Sequence, residues 1–276
     1  MIDAREKKIL SNLHSTANTV VVIRHHHGDL DDVASTHLRA NGYTIEDRYP
    51  FEGDDLADIM GTFDPARKHP TDQQNKRNIA GTVVHGGAQN VTSLDKHAGL
   101  PDEIRWIEKC LTDELPVVGI CLGAQLLAHT LGAAVRPHRD KLCEFGYYPV
   151  YPTAHAISWM KRPMHMVQAH FEHFDIPQSS VLLATGERFE NQAFRYGSNA
   201  FGLQFHPEVS SSMFSEWQSS DWAKQFYATA GAQPKAQQTS ANALHNAAQT
   251  DWFRNFLTGL FPPLGTGTLT GSSSDQ

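Results

Sequence analysis

"PVVGICLGAQLLAH", residues 116–129, carries an apolar run into a helix-like pattern through one cysteine, Cys121, set between Gly119 and Gly123. A cysteine that only fills a core needs no glycine on either side, because a free thiol packs like any small apolar group. Glycines two before and two after mark a turn too tight for side chains, and such a turn exposes the residue at its tip. The order of strand, sharp turn and helix is that of a nucleophile elbow, with the backbone N–H groups of a helix start beside the sulfur to favour a thiolate and to donate to an oxyanion.

Outward from this elbow, short apolar runs alternate with longer helical patterns, as in a parallel sheet covered by helices on both faces. "TVVVIR" (19–24), "YTIEDRYP" (43–50), "IAGTVVHGG" (79–87) and "LPVVGIC" (115–121) read as strands, and "DDVASTHLRANG" (31–42) and "LPDEIRWIEKCLTDE" (100–114) as helices. Residues 64–78 have charge, two prolines and no period, and read as an exposed loop. The second half changes to short aromatic and β-branched runs, 146–152, 164–174, 181–187, 191–197 and 200–208, which predict an antiparallel extension. Two helices follow, over 214–230 and 243–260, around an Ala/Gln-rich linker. The expected class is α/β: a doubly wound, flavodoxin-like, mostly parallel sheet with an antiparallel extension and C-terminal helices. Its divisions are an N-terminal extension (1–18), the main domain (19–210), a C-terminal helical segment (211–262) and a low-complexity, disordered tail (263–276).

A thiol nucleophile needs a base, and "GLQFHPEV" offers one. If this run continues a strand, His206 and Glu208 project from one face, so the acid can orient the imidazole and stabilise its protonated form. Composition narrows the classes further. With 19% charged residues and a net charge of -7 there is no basic excess for neutralising phosphates, so no nucleic acid is expected. Three cysteines in 276 residues are no disulfide framework, and Cys110 and Cys143 read as packed core thiols. The N-terminus has no apolar stretch ending in a cleavage site and no run approaches a membrane span, so a cytoplasmic protein with no membrane partner is expected. "RHHHGDLDD" (24–32) holds three histidines and three aspartates, but no pair has helix-ligand spacing, so no metal is expected. His25, His26 and His27 instead are expected to end the first strand and line the C-terminal rim of the sheet.

"GICLGAQLLA" (119–128), "GLQFHPE" (202–208) and "HGGAQN" (85–90) together resemble the class I glutamine amidotransferase domain. "EFGYYPV" (144–150) and "AHFEHFDIP" (169–177) resemble patterns of its stand-alone, GMP-synthase-like subgroup, and the likeness covers about residues 19–210. The resemblance implies Cys121 as nucleophile, His206 as base and Glu208 as its orienter, the N–H groups of Gly87 and Leu122 as oxyanion hole, and Gly86, Gln125 and His170 beside the substrate glutamine. It implies no cofactor. Two sites depart from the family pattern: Ala88 follows the glycine pair where proline is usual, and Phe171 and Glu172 follow His170 where glycine and aspartate are common. No GxxxxGK motif followed by Ser or Thr is present to cradle ATP, so activation of an ammonia acceptor is expected of a synthetase partner chain. The alternatives are a γ-glutamyl peptide or amide hydrolase using the same three residues, and a non-catalytic binding module of the same fold.

Overall fold

The structure is a computed structural model, and it describes residues 17–27, 32–60, 78–156 and 158–264. The expected N-terminal extension up to residue 16, the loop over 64–77 and the tail from 265 lie outside the described residues.

Four apolar runs of the first half become strands β1 (Thr19–Ile23), β2 (Thr44–Arg48), β3 (Ile79–Val84) and β4 (Val117–Ile120). Between and after them come helices α1 (Val33–Ala40), α2 (Ala57–Met60), α3 (Leu100–Thr112) and α4 (Leu122–Thr130). Strands β5 (Val135–Pro137), β6 (Glu144–Pro152), β7 (Met164–His170), β8 (Glu172–Phe174), β9 (Ser180–Thr185), β10 (Asn191–Tyr196) and β11 (Ala200–Leu203) follow, then helices α5 (Ser211–Ser219), α6 (Ala223–Tyr227) and α7 (Lys235–Leu260).

Among the described residues one nine-stranded sheet runs in the order β2-β1-β3-β4-β11-β10-β9-β6-β7. From β2 to β11 every neighbour is parallel; from β11 to β7 every neighbour is antiparallel. The flavodoxin-like parallel half and its antiparallel extension are therefore both present. Alternation along β1 sends Val20 and Val22 to a core beneath α1 and α7, and Val21 and Ile23 to a second core beneath α3 and α4. A third cluster packs Phe145, Tyr147 and Val167 against α5 and α6.

Three expectations are corrected. The run over 164–174 is not one strand: it breaks at Phe171, and β8 leaves to pair with β5 in a separate two-stranded sheet. The helix over 214–230 breaks after Ser219. From Lys235 on, the Ala/Gln-rich linker is no linker but the first turns of the 26-residue α7. Its inward positions are Gln238, Asn242, Asn246, Gln249, Phe253 and Leu257, so most of the buried stripe is amide and the apolar periodicity that reveals a helix is missing. Among the described residues no helix is long and apolar enough to cross a membrane.

Candidate functional site

The parallel register brings the ends of four strands level. Ile23 pairs with Val84, Val84 with Gly119 and Ile120 with Leu203, so β1, β3, β4 and β11 deliver His25, Gly86, Cys121 and Gln204–Glu208 to one edge. This is the carboxyl edge at which open α/β sheets hold their ligands.

Cys121 sits between β4 and α4 with φ 50° and ψ -104°, a left-handed conformation that only a tight local fit sustains in a non-glycine residue. The flanking glycines account for the fit. A Cβ on Gly119 would stand 2.5 Å from the Gly123 carbonyl oxygen, and one on Gly123 would stand 2.1 Å from that of Val84. Both close approaches press the start of α4 onto β3 and β4. Leu122 is the first residue of α4, where a backbone N–H has no acceptor within the helix.

His206 comes from a turn rather than a strand. β11 ends at Leu203, and the backbone N–H of His206 donates to the Val167 carbonyl of β7 at 2.8 Å. The strand alternation expected of "FHPE" is therefore absent, yet the turn brings His206 Nδ1 to 2.8 Å from Glu208 Oε1. Both side chains are about 5% exposed or less. A carboxylate can only accept, so Nδ1 carries the proton toward Glu208. Among the described residues the buried Nε2 has no hydrogen-bond partner. Burial alone would lower the imidazole pKa, but the Glu208 carboxylate and then the Cys121 sulfur raise it to about 10. Trp217 of α5 presses edge-on against the ring, with centroids 5.1 Å apart.

The glycine pair closes over both groups. A Cβ on Gly86 would stand 2.7 Å from His206 Cε1 and 3.4 Å from Cys121 Cβ, and one on Gly87 would stand 2.6 Å from His25 Cβ. His25 is buried, not on the rim: Nδ1 donates to the Gly86 carbonyl at 3.2 Å and Nε2 lies 2.9 Å from Glu103 Oε2. The loop bearing Ala88 is thus held from beneath by a histidine. His26 and His27 do remain exposed, and His27 pairs with Glu52. Among the described residues no group of three His, Cys, Asp or Glu side chains is arranged to hold a metal ion.

Gln125 and His170 meet on one atom, the Glu172 carbonyl oxygen, at 3.1 Å from Gln125 Nε2 and 3.0 Å from His170 Nδ1. His170 Nε2 is taken by Glu144 at 3.1 Å, which leaves neither ring nitrogen free. The two unusual residues of this segment have structural uses. Phe171 stacks on Phe226 of α6 at 4.3 Å, and the Glu172 carboxylate accepts from Thr92.

Four neighbours lay outside the sequence reading. Gln204 Nε2 points at Cys121 Sγ from 3.6 Å, and its place two residues before His206 was a usable signal. Trp217, His85 and Gln249 had none. His85 is buried beside Asp32 at 3.8 Å with no hydrogen-bond partner on Nε2; burial lowers its pKa, opposed by Asp32. Cys110 and Cys143 are wholly buried; burial pushes both thiols up, Cys143 to about 11. A cavity of about 390 Å³ near Tyr148, Arg188 and His245 includes neither Cys121 nor His206 in its lining.

The family model described as "Glutamine amidotransferase class-I" matches residues 62–220. A glutamine amidotransferase-like protein of Salmonella typhimurium is 32% identical over 140 residues, 46% of this chain and 55% of that protein. The chain thus spans about half the length of that curated relative. One of the subunits of a glutamine-hydrolyzing GMP synthase of Methanopyrus kandleri is 30% identical over 164 residues, 55% of this chain and 79% of that protein. The fold matches the crystal structure of a glutamine amidotransferase from Thermotoga maritima with a TM-score of 0.72 and 24% identity, covering 88% of this chain and 98% of that one. With its family model, its relatives and its fold in agreement, the chain belongs to the class I glutamine amidotransferase family.

Proposed function

We propose that this chain hydrolyses the side-chain amide of glutamine to glutamate and ammonia, with Cys121 as nucleophile, His206 as acid and base, and Glu208 as its orienter. The observation that carries this reading is His206 itself, held at Nδ1 by Glu208 while Nε2 has no geometric hydrogen-bond partner among the described residues and the nearby Cys121 sulfur helps to raise the imidazole pKa. The Cys121 thiolate attacks the carboxamide carbon, and the N–H groups of Gly87 and Leu122 receive the oxyanion. His206, protonated at neutral pH, gives its Nε2 proton to the departing nitrogen as the C–N bond breaks. A glutamyl thioester and neutral imidazole remain. The imidazole then takes a proton from water, whose oxygen displaces the thiolate and releases glutamate. Gly86 lies against both groups, Gln125 braces the wall of the pocket through Glu172, and His170 supports that wall from behind. The catalytic unit is residues 19–210, with 211–262 as a C-terminal helical segment.

A synthetase partner chain that consumes the ammonia follows from the likeness to one component of a GMP synthase. No cofactor or metal enters any step. The test is ammonia and glutamate release from glutamine by the purified chain and by Cys121→Ala, with hydroxylamine trapping of the thioester. Equal release by both proteins would end the assignment. Turnover of γ-glutamyl amides well above that of glutamine would move the substrate to the larger class.

A further inference from the structure

We propose that Gln249 of α7 is a positioning residue for His206, so that the geometry of the base is set by a helix lying beyond the segment matched to the family. The inference rests on the reading of His206 as acid and base. Three hydrogen bonds form a closed ring. The His206 N–H donates to the Val167 carbonyl at 2.8 Å, the Val167 N–H donates to Gln249 Oε1 at 2.7 Å, and Gln249 Nε2 donates to the His206 carbonyl at 3.2 Å. Val167 lies on β7, the edge strand, where its outward N–H and C=O have no further strand to pair with. The histidine takes one and the glutamine takes the other. Both backbone groups of His206 are thereby referred to the same residue of the sheet, one directly and one through a wholly buried amide.

The orientation of that amide is fixed by its partners, since an N–H needs the oxygen and a carbonyl needs the nitrogen. Gln249 is also one of a series. Asn246 Nδ2 donates to the Val209 carbonyl at 2.9 Å and Asn242 Nδ2 to that of Ser211 at 3.0 Å, so α7 grips the backbone from the base onward. The turn carrying His206 and Glu208 has no strand pairing of its own after Leu203. A small shift of this turn would carry Nε2 away from the sulfur while leaving the groups around bound glutamine in place.

The experiment compares Gln249→Met, which removes the bonds to Val167 and His206 and a longer one to the Val209 carbonyl at 3.4 Å, all at nearly constant volume, with Asn242→Leu, which cuts the same series farther from the base. Displacement of a reacting group by about 1 Å can cost about a hundredfold, so Gln249→Met is expected to lower kcat at least about tenfold with KM within about twofold. Asn242→Leu is expected to lose melting temperature but to stay within about threefold of the original kcat. Alkylation of Cys121 by iodoacetamide, which involves no glutamine, is expected to slow in the first variant and not in the second. Unchanged kcat in folded Gln249→Met, or equal loss in both variants, overturns the proposal. If Gln249→Met does not fold, Gln249→Glu keeps the acceptor for Val167 and removes the donor to His206, and carries the same expectation. If the unmodified chain releases no ammonia, the functional reading fails. The alkylation rates then decide the positioning role, and equal rates reject it.

Discussion

His206 and Glu208, two residues apart, are joined through Nδ1 and Oε1 at 2.8 Å with both side chains almost wholly withdrawn from water. In the proposed mechanism the pair is unequal, because the imidazole takes part in each proton transfer and the carboxylate only holds it. His206→Ala is expected to abolish turnover. Glu208→Gln, which keeps the shape and removes the charge, is expected to lower kcat by about 10² to 10⁴ without abolishing it. The same change lowers the pKa of His206, so the alkaline limb of the kcat profile is expected to move to lower pH. Steady-state kinetics from pH 5 to pH 10 reads both effects, and a Glu208→Gln enzyme as inactive as Cys121→Ala would assign the acid a larger part.

Two buried histidines give stability opposite dependences on pH. The pKa of His206 is raised in the fold, from 6.5 to about 10, so its contribution is complete below 6.5 and is lost as pH rises toward 10. The pKa of His85 is lowered by burial, so the unfolded chain binds its proton first and stability is lost as pH falls below 6.5. Stability is expected to be greatest near the unperturbed histidine pKa. Urea denaturation at a series of pH values checks this, and His85→Asn is expected to flatten the acid side only.

Glycines distinguish space from flexibility. Gly86 has an ordinary backbone conformation, so Gly86→Ala is opposed only by the 2.7 Å approach of the new methyl to His206 Cε1. A loss of kcat of about a hundredfold with little change in melting temperature is expected. Gly259, inside α7 with nothing within 4 Å of an added Cβ, is the reverse: Gly259→Ala is expected to stabilise the fold by about 0.5 to 1 kcal/mol and leave kcat alone.

Thiol chemistry separates the three cysteines. Burial pushes the Cys110 and Cys143 thiols up and so favours their protonated form at neutral pH, whereas Cys121 lies beside His206, whose pKa Glu208 and Cys121 raise. A chloroketone analogue of glutamine at pH 7.5 is expected to label Cys121 alone, as read by peptide mapping. Label on Cys110 or Cys143 in the folded protein would remove the chemical basis of the site.

How much of this was legible in the sequence depended on what each segment buries. β1, β3 and β4 are buried on both faces, and their Val and Ile runs announced them; the elbow was legible because Gly119 and Gly123 have no other use. The start of α7 was concealed because its inward residues there, Gln238 and Asn242, are amides that serve backbone groups of other segments, a need no local pattern displays. The break at Phe171 was hidden because its cause, stacking on Phe226, lies 55 residues away in the chain. His25 read as a rim residue because Glu103, its partner, comes from a helix whose docking only the assembled sheet defines.

The placement of α7 also sets when, during synthesis, the surroundings of His206 can be completed. His37 bonds to Thr258 across 221 positions, and the Leu264 N–H donates to the Asn41 carbonyl. The layer over β1 and the ring around His206 therefore close only after α7 has left the ribosome. Contacts so distant in sequence are slow to form, because the entropy of closing the intervening loop precedes any gain from them. A growing chain that already has β4, α4 and the histidine turn still lacks the hydrogen bonds of Gln249 to Val167 and His206.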